Sequence, residues 1–171
     1  AGTDFDRRIA VKPRAPELLR EAFEKKSWQG EPVMFSGNTD CYQPLEANYE
    51  LTRRCLEVCA EYRNPVHVIT KAALVERDID LIAKLSEVAK AGVSISIPFW
   101  DAEHARALEP HAPTPLRRME AVRRLAQAGI HVTVNVAPLI PGLSDRDMPS
   151  ILEAAAEAGA RHDFTPAELT Q

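Results

Sequence analysis

Four polar clusters follow apolar runs along this chain, and each holds side chains able to bind a small molecule. Ser36-Gly37-Asn38-Thr39-Asp40-Cys41-Tyr42-Gln43-Pro44 follows Val33-Met34-Phe35. Thr70-Lys71 closes the run Val66–Thr70, Ser96 with Pro98 closes Val93–Ile97, and Asn135 to Pro138 closes Ile130–Val136. Lys71 sits where a buried segment ends, a place suited to holding a carboxylate. The hydroxyls of Thr39 and Ser96 can both donate and accept hydrogen bonds. From position alone, a Lys71 that reaches solvent and a Ser96 that satisfies a backbone group explain the two residues better than a ligand does.

Other reactive residues carry weaker signals. The five histidines form no H-x3-H or H-E-x2-H pattern. His67 and His131 lie within apolar runs and read as core or edge histidines rather than metal ligands. His104 and His111 flank Glu109, and Glu109-Pro110 reads equally well as a substrate-loop element or as a capping or ion-paired glutamate. Arg117, Arg118, Arg123 and Arg124 cluster on one predicted helix, where a solvated basic face is the expected reading and phosphate binding the alternative. Cys55 and Cys59, four apart in an amphipathic stretch, read as small buried hydrophobes. No Ser-His-Asp order, G-x-G-x2-G or Walker motif is present.

The elements that position these residues alternate. Strand candidates are Arg8–Lys12, Val33–Phe35, Val66–Thr70, Val93–Ile97 and Ile130–Val136, marked by β-branched residues with Pro, Gly or Asn nearby. Helix candidates are Pro16–Lys25, Tyr49–Tyr62, Asp78–Lys90, Pro115–Ala128 and Asp147–Ala158. In Asp78–Lys90, residues Leu81, Ile82, Leu85, Val88 and Ala89 recur at three and four, so they share one helical face. Pro16 and Pro115 suit a first turn, Thr114 and Asp78 suit N-caps, and Gly92, Gly129 and Gly159 suit C′ positions. Regular alternation predicts a parallel sheet of four or five strands in sequential order. The polar clusters then all fall on its carboxyl rim, where parallel-sheet enzymes place their sites. The expected fold is a single α/β domain over residues 1–160, an open sheet or an incomplete (β/α) barrel, with a polar tail at 161–171.

Composition limits the function classes. At 171 residues the chain supports one sizeable core, and its net charge of −4 argues against non-specific nucleic-acid binding. No apolar stretch approaches the ~20 residues of a membrane span. Ala1-Gly2-Thr3-Asp4 is neither basic nor apolar, unlike a signal peptide. Three cysteines, an odd number, point to a reducing compartment, with the cytoplasm as expected location.

Taken in order, Val33 to Glu46, Val68-Ile69-Thr70-Lys71, Ser94-Ile95-Ser96-Ile97, Leu108-Glu109-Pro110 and Val136-Ala137-Pro138-Leu139-Ile140-Pro141-Gly142 resemble the radical S-adenosylmethionine (SAM) superfamily. Its spore-photoproduct-lyase-like group is the nearest branch. The resemblance runs from about Asp4 to Ala160. It implies a partial (β/α) barrel, SAM as a small-molecule cofactor, and a [4Fe–4S] cluster bound by a C-x3-C-x2-C loop. SAM bound at that cluster yields a 5′-deoxyadenosyl radical that abstracts hydrogen from substrate. By this resemblance Thr39 matches a hydroxyl residue near the cofactor, with Asp40 beside it. Lys71 and Ser96 match contacts to its amino-acid end, and Asn135, Val136 and Pro138 belong to a strand end bordering the adenine. The branch also suggests a nucleic-acid or other macromolecular substrate.

The sequence departs from that family in three places. C-x3-C-x2-C does not occur, and Cys41 lies fourteen residues before Cys55, so these thiols do not converge as cluster ligands must. Gly37 occupies the position of the lesion-repair branch's hydrogen-donating cysteine. The family's first strand and cluster loop would precede Asp4, and its sixth strand would follow Ala160. The expectation is a radical SAM enzyme, or a fragment of one whose cluster ligands lie upstream, with this chain inactive by itself. A cluster-less α/β binding or interaction module is the competing reading.

Overall fold

Parallel pairing organises the sheet of this computed structural model, which describes residues 9–36 and 39–161. Strands β1 (Val33–Phe35), β2 (Val66–Thr70), β3 (Ala91–Ser96) and β4 (His131–Asn135) lie in sequential order, every neighbouring pair parallel. Between and around them run helices α1 (Ala15–Phe23), α2 (Glu46–Tyr49), α3 (Leu51–Glu61), α4 (Ile79–Val88), α5 (Ala102–Leu108), α6 (Pro115–Gln127) and α7 (Met148–Glu157). A 3-10 segment, Ala73–Asp78, leads into α4. The sheet does not close, and the result is the α/β incomplete parallel barrel expected from the alternation.

The sheet's two faces differ in chemistry because strand side chains alternate. Val66, Val68, Val93, Ile95 and Val132 are buried in one core with Leu81, Ile82 and Leu85 of α4 and Met119, Val122 and Leu125 of α6. Each fully buried aliphatic side chain contributes roughly 1.5–3 kcal/mol. The opposite face carries a polar row across three strands. His67 Nε2 lies 2.7 Å from Ser94 Oγ, and Ser94 Oγ lies 2.6 Å from Thr133 Oγ1.

Several elements depart from the sequence reading. Ile9–Lys12, the described part of the strand expected at Arg8–Lys12, is not a strand; the Lys12 carbonyl accepts from Ala15 N–H and turns the chain towards α1. The single helix expected at Tyr49–Tyr62 is broken at Glu50, whose φ of 50° is left-handed. Thr114 caps α6 as expected, its hydroxyl accepting from Arg117 N–H, but Asp78 does not cap α4 with its side chain. Two arginines and a tyrosine take that carboxylate instead. Gly129 and Gly159 follow their helices at positive φ, whereas Gly92 lies inside β3. A Cβ at Gly92 would stand 3.0 Å from Nδ1 of His67, so the missing side chain gives the imidazole its place. After α7, Arg161 N–H donates to Val132 O at 2.7 Å, returning the chain to β4.

Gly92→Ala should push His67 off Ser94 and destabilise the fold by about 1–3 kcal/mol, as overpacking typically does. A urea midpoint indistinguishable from wild type would show that the imidazole yields at no cost.

Candidate cofactor cleft

Because all four strands run the same way, Ser36, Lys71, Ser96 and Asn135 emerge at one rim. Above it opens a cleft of about 810 Å³ whose lining includes Thr39, Asp40, Lys71, Ser96, Glu109 and His111. Four of the seven residues predicted for the site therefore meet in one cavity. Asn135, Val136 and Pro138 share the rim but do not line this cavity. Asn135 is the register partner of Ser96, and its carbonyl accepts from Ile97 N–H at 2.9 Å. The Pro138 carbonyl accepts from Ser144 Oγ at 3.4 Å.

Asp40 braces the rim. Its Oδ1 accepts from Thr70 Oγ1 at 2.7 Å and Tyr42 N–H at 2.9 Å, while Oδ2 accepts from Lys71 N–H at 2.8 Å. The loop after β1 is thereby fastened to the end of β2, and the backbone of Lys71 is fixed. A second carboxylate anchors the same loop from below. Asp78, fully buried, accepts from the Tyr42 hydroxyl at 2.9 Å and from the guanidinium groups of Arg77 and Arg53. Burial pushes its carboxyl up, but the bonds from Arg77, Arg53 and Tyr42 outweigh it and hold the group below the usual range. Burial, then the Asp78 charge and hydrogen bond, push the Tyr42 phenol up. Glu46 completes the anchor by accepting from Arg77 at 2.8 Å and from Thr52 N–H at the start of α3 at 3.0 Å.

The far wall of the cleft holds three linked charges. Lys71 Nζ lies 2.5 Å from Glu109 Oε1, and Arg118 Nη2 lies 2.6 Å from Glu109 Oε2. Arg118 is only 2% exposed; its Nε donates to Pro113 O and its Nη1 to Ser96 O, each at 2.8 Å. Burial pushes the Glu109 carboxyl up, while hydrogen bonds from Lys71 and Arg118 bring it below the usual range, so it stays ionised at neutral pH.

The placement of Arg118 corrects the sequence reading of a solvated basic face. Arg117 and Arg124 do pair with Glu76 and Arg123 with Glu120 on the surface. Arg118, by contrast, shares the inward spacing of Pro115, Met119, Val122 and Leu125. That three-and-four pattern, phased from Thr114 and Pro115, could have separated it from its neighbours.

The cysteines behave as small core residues. Cys55 and Cys59 are buried on α3, and desolvation pushes their thiols up to about 11 and about 12. Burial, then the Asp40 charge, also push Cys41 up. Among the described residues no group of three or more His, Cys, Asp or Glu could hold a metal ion. These residues do not fit an iron–sulfur cluster, which needs accessible thiolates.

The family model described as "Radical SAM superfamily" matches residues 4–155. This chain belongs to the radical SAM superfamily. Enzymes of the superfamily in general cleave SAM at an iron–sulfur cluster. The chain is also 34% identical over 161 residues to uncharacterised proteins of Mycobacterium bovis and Mycobacterium tuberculosis, covering 93% of this chain and 47% of each relative. A similar uncharacterised protein of Methanocaldococcus jannaschii is 30% identical over 137 residues, covering 80% of this chain and 49% of the relative. The radical SAM chain described here thus spans about half the length of the curated relatives it matches.

Two measurements test the electrostatics. Asp78 and Glu109 both have folded pKa values below the ordinary carboxylate range of about 4. Their contribution to stability is complete above that range and is lost as pH falls through the depressed folded values. Urea midpoints should fall below pH 4, and Asp78→Ala should cost about 3–5 kcal/mol at pH 7 by stranding buried donors. A midpoint flat down to pH 2 would contradict this. All three thiols should react with Ellman's reagent at pH 8 roughly 100-fold or more slowly in the native state than in urea, because the thiolate is the nucleophile. Fast native labelling would mean that a cysteine is accessible and ionised.

Proposed function

We propose that this chain forms the SAM-binding rim of a radical SAM enzyme of the spore-photoproduct-lyase-like branch, with cluster-binding cysteines supplied by sequence outside it. The observation that carries this reading is the meeting of Thr39, Lys71 and Ser96 in one cleft at the carboxyl rim. An ammonium and two hydroxyls suit a carboxylate-bearing cofactor. Lys71 would take the SAM carboxylate, and the hydroxyls of Ser96 and Thr39 would contact the same end. Asp40 would hold the Lys71 backbone in place through its 2.8 Å bond. Asn135, Val136 and Pro138, one strand further along, would border the adenine. Bound at a reduced cluster, SAM supplies a 5′-deoxyadenosyl radical; the residues of this chain bind and orient it.

Branch resemblance favours a nucleic-acid or other macromolecular substrate, reached with little help from charge. The net charge is −4, and the surface arginines of α6 already have glutamate partners. No helix among the described residues is long and apolar enough to cross a membrane. Three cysteines outside any disulfide, two of them buried, favour a cytoplasmic location.

Anaerobic reconstitution with iron and sulfide tests the assignment. This chain should give no four-iron paramagnetic signal and no SAM cleavage, while a longer protein containing it should give both. Calorimetric titration of the iron-free chain with SAM should give roughly millimolar affinity. Two hydroxyl contacts at about 0.5–1.5 kcal/mol and one charged contact at about 1.5–3 leave little after ligand immobilisation. Micromolar affinity without iron, with no radical chemistry in the longer protein, would favour the cluster-less binding module instead.

A further inference from the structure

Helix α5 is placed by its ends rather than by a core. Of its seven residues Ala105 alone is buried, and Leu108 is 52% exposed. So short a helix, with so little apolar contact, is not stable by itself. Two carboxylates in series hold its start. Asp147 Oδ2 accepts from Trp100 N–H at 2.7 Å and from Asp101 N–H at 3.2 Å. Asp101 Oδ1 accepts in turn from Glu103 N–H at 2.9 Å and His104 N–H at 2.8 Å, capping α5. Asp147 stands immediately before α7, yet its side chain caps no amide of that helix. It reaches across instead and joins the loop after β4 to the loop after β3. At the other end of α5, Glu109 N–H donates to Ala105 O at 2.8 Å, and Arg118 holds Glu109 Oε2 at 2.6 Å.

We infer that Asp147 is a positioning residue of the cleft: by fixing the start of α5 it sets the course of that helix, and with it the orientation of Glu109 in the far wall. The bond to Arg118 fixes one oxygen of Glu109 and lets the carboxylate turn about that point. What aims Oε1 at Lys71 Nζ, 2.5 Å away, is the line of the helix. Seven residues at about 1.5 Å each make a rod of roughly 10 Å, so a displaced start tilts its end. A carboxylate suits the task. One of its oxygens takes two successive N–H groups, and such charge-assisted bonds are stronger than neutral ones. The wall keeps this geometry whichever small molecule enters the cleft.

Amide hydrogen exchange of the full chain, read by nuclear magnetic resonance, tests this. Asp147→Ala should speed exchange at Ala105 and Glu109 about tenfold and leave Ile95 and Val122 at wild-type rates. It should also move the Lys71 ammonium resonance towards that of an exposed lysine. Asp147→Asn keeps an acceptor oxygen for Trp100 but loses the charge at the start of α7. It should bring Ala105 and Glu109 back to within about threefold of wild type. SAM, used as the probe ligand, should bind about fivefold more weakly to the alanine variant and nearly as in wild type to the asparagine variant. Faster exchange confined to Ile151 and Leu152 would make Asp147 only a charge at the start of α7 and overturn the inference. A loosened α5 with an unmoved Lys71 resonance would also overturn it, because the helix would not then aim Glu109. Asp101→Ala breaks the second link without touching α7 and should move the same signals, an arm that stands even if the Asp147 variants misfold. A wild type that binds no SAM removes the cofactor reading alone, since the exchange and Lys71 arms need no ligand.

Discussion

Parallel pairing of sequential strands forces every carboxyl end to the same rim, and the remaining features of this chain follow from how that rim is satisfied. Strand ends leave backbone groups without ladder partners, and a buried group without a partner costs about 1–3 kcal/mol. Here side chains from the loop after β1 and from α6 supply those partners. Asp40 accepts from Lys71 N–H beyond β2, and Arg118 donates to the Ser96 carbonyl at the end of β3. The same two contacts fix the residues that face the cleft, so closing the rim and building the site are one operation.

Charge makes that operation all-or-none. Asp78 and Arg118 are nearly inaccessible to water, and a desolvated ion is tolerated only when its hydrogen-bonding directions are filled. Asp78 has Tyr42, Arg53 and Arg77 around it; Arg118 has two carbonyls and a carboxylate. Neither network is worth much as stability relative to an apolar core of the same volume. Their effect is on uniqueness, since any other packing of the 40–46 loop or the loop after α5 would strand a charge. Lys71 stands outside this constraint. Its side chain is 41% exposed, so water can take the place of Glu109 as its partner.

The local period made most of the fold legible in the sequence. Val66–Thr70 and Val93–Ile97 are β-branched runs of strand length, and Leu81, Ile82 and Leu85 repeat at helical spacing, so two strands and a helix are legible at nearly their observed bounds. The same pattern puts Lys71 and Ser96 on one rim. What escaped depends on contacts distant in the chain. Asp78 resembles an N-cap locally, but Arg53, 25 residues away, and Tyr42, 36 residues away, claim its oxygens. Gly92 resembles a helix terminator, but its role is to make room for His67 across the strand. Composition groups Arg118 with three other arginines, whereas its phase on α6 sets it apart.

The cysteines show how far family membership and local chemistry can diverge within one chain. Membership of the superfamily implies thiolates gathered around iron, yet the two cysteines of α3 lie on its buried face among Leu56 and Val58. Desolvation there disfavours the ionised form, and a helix cannot swing two sulfurs outward without exposing the apolar residues beside them. Bringing Cys41 to the same point would require releasing Asp40 and Tyr42, the two anchors of the loop that carries it. The geometry that makes the rim rigid therefore prevents these thiols from serving as cluster ligands. Among the described residues the family's fold is present, and thiolates placed to hold iron are not.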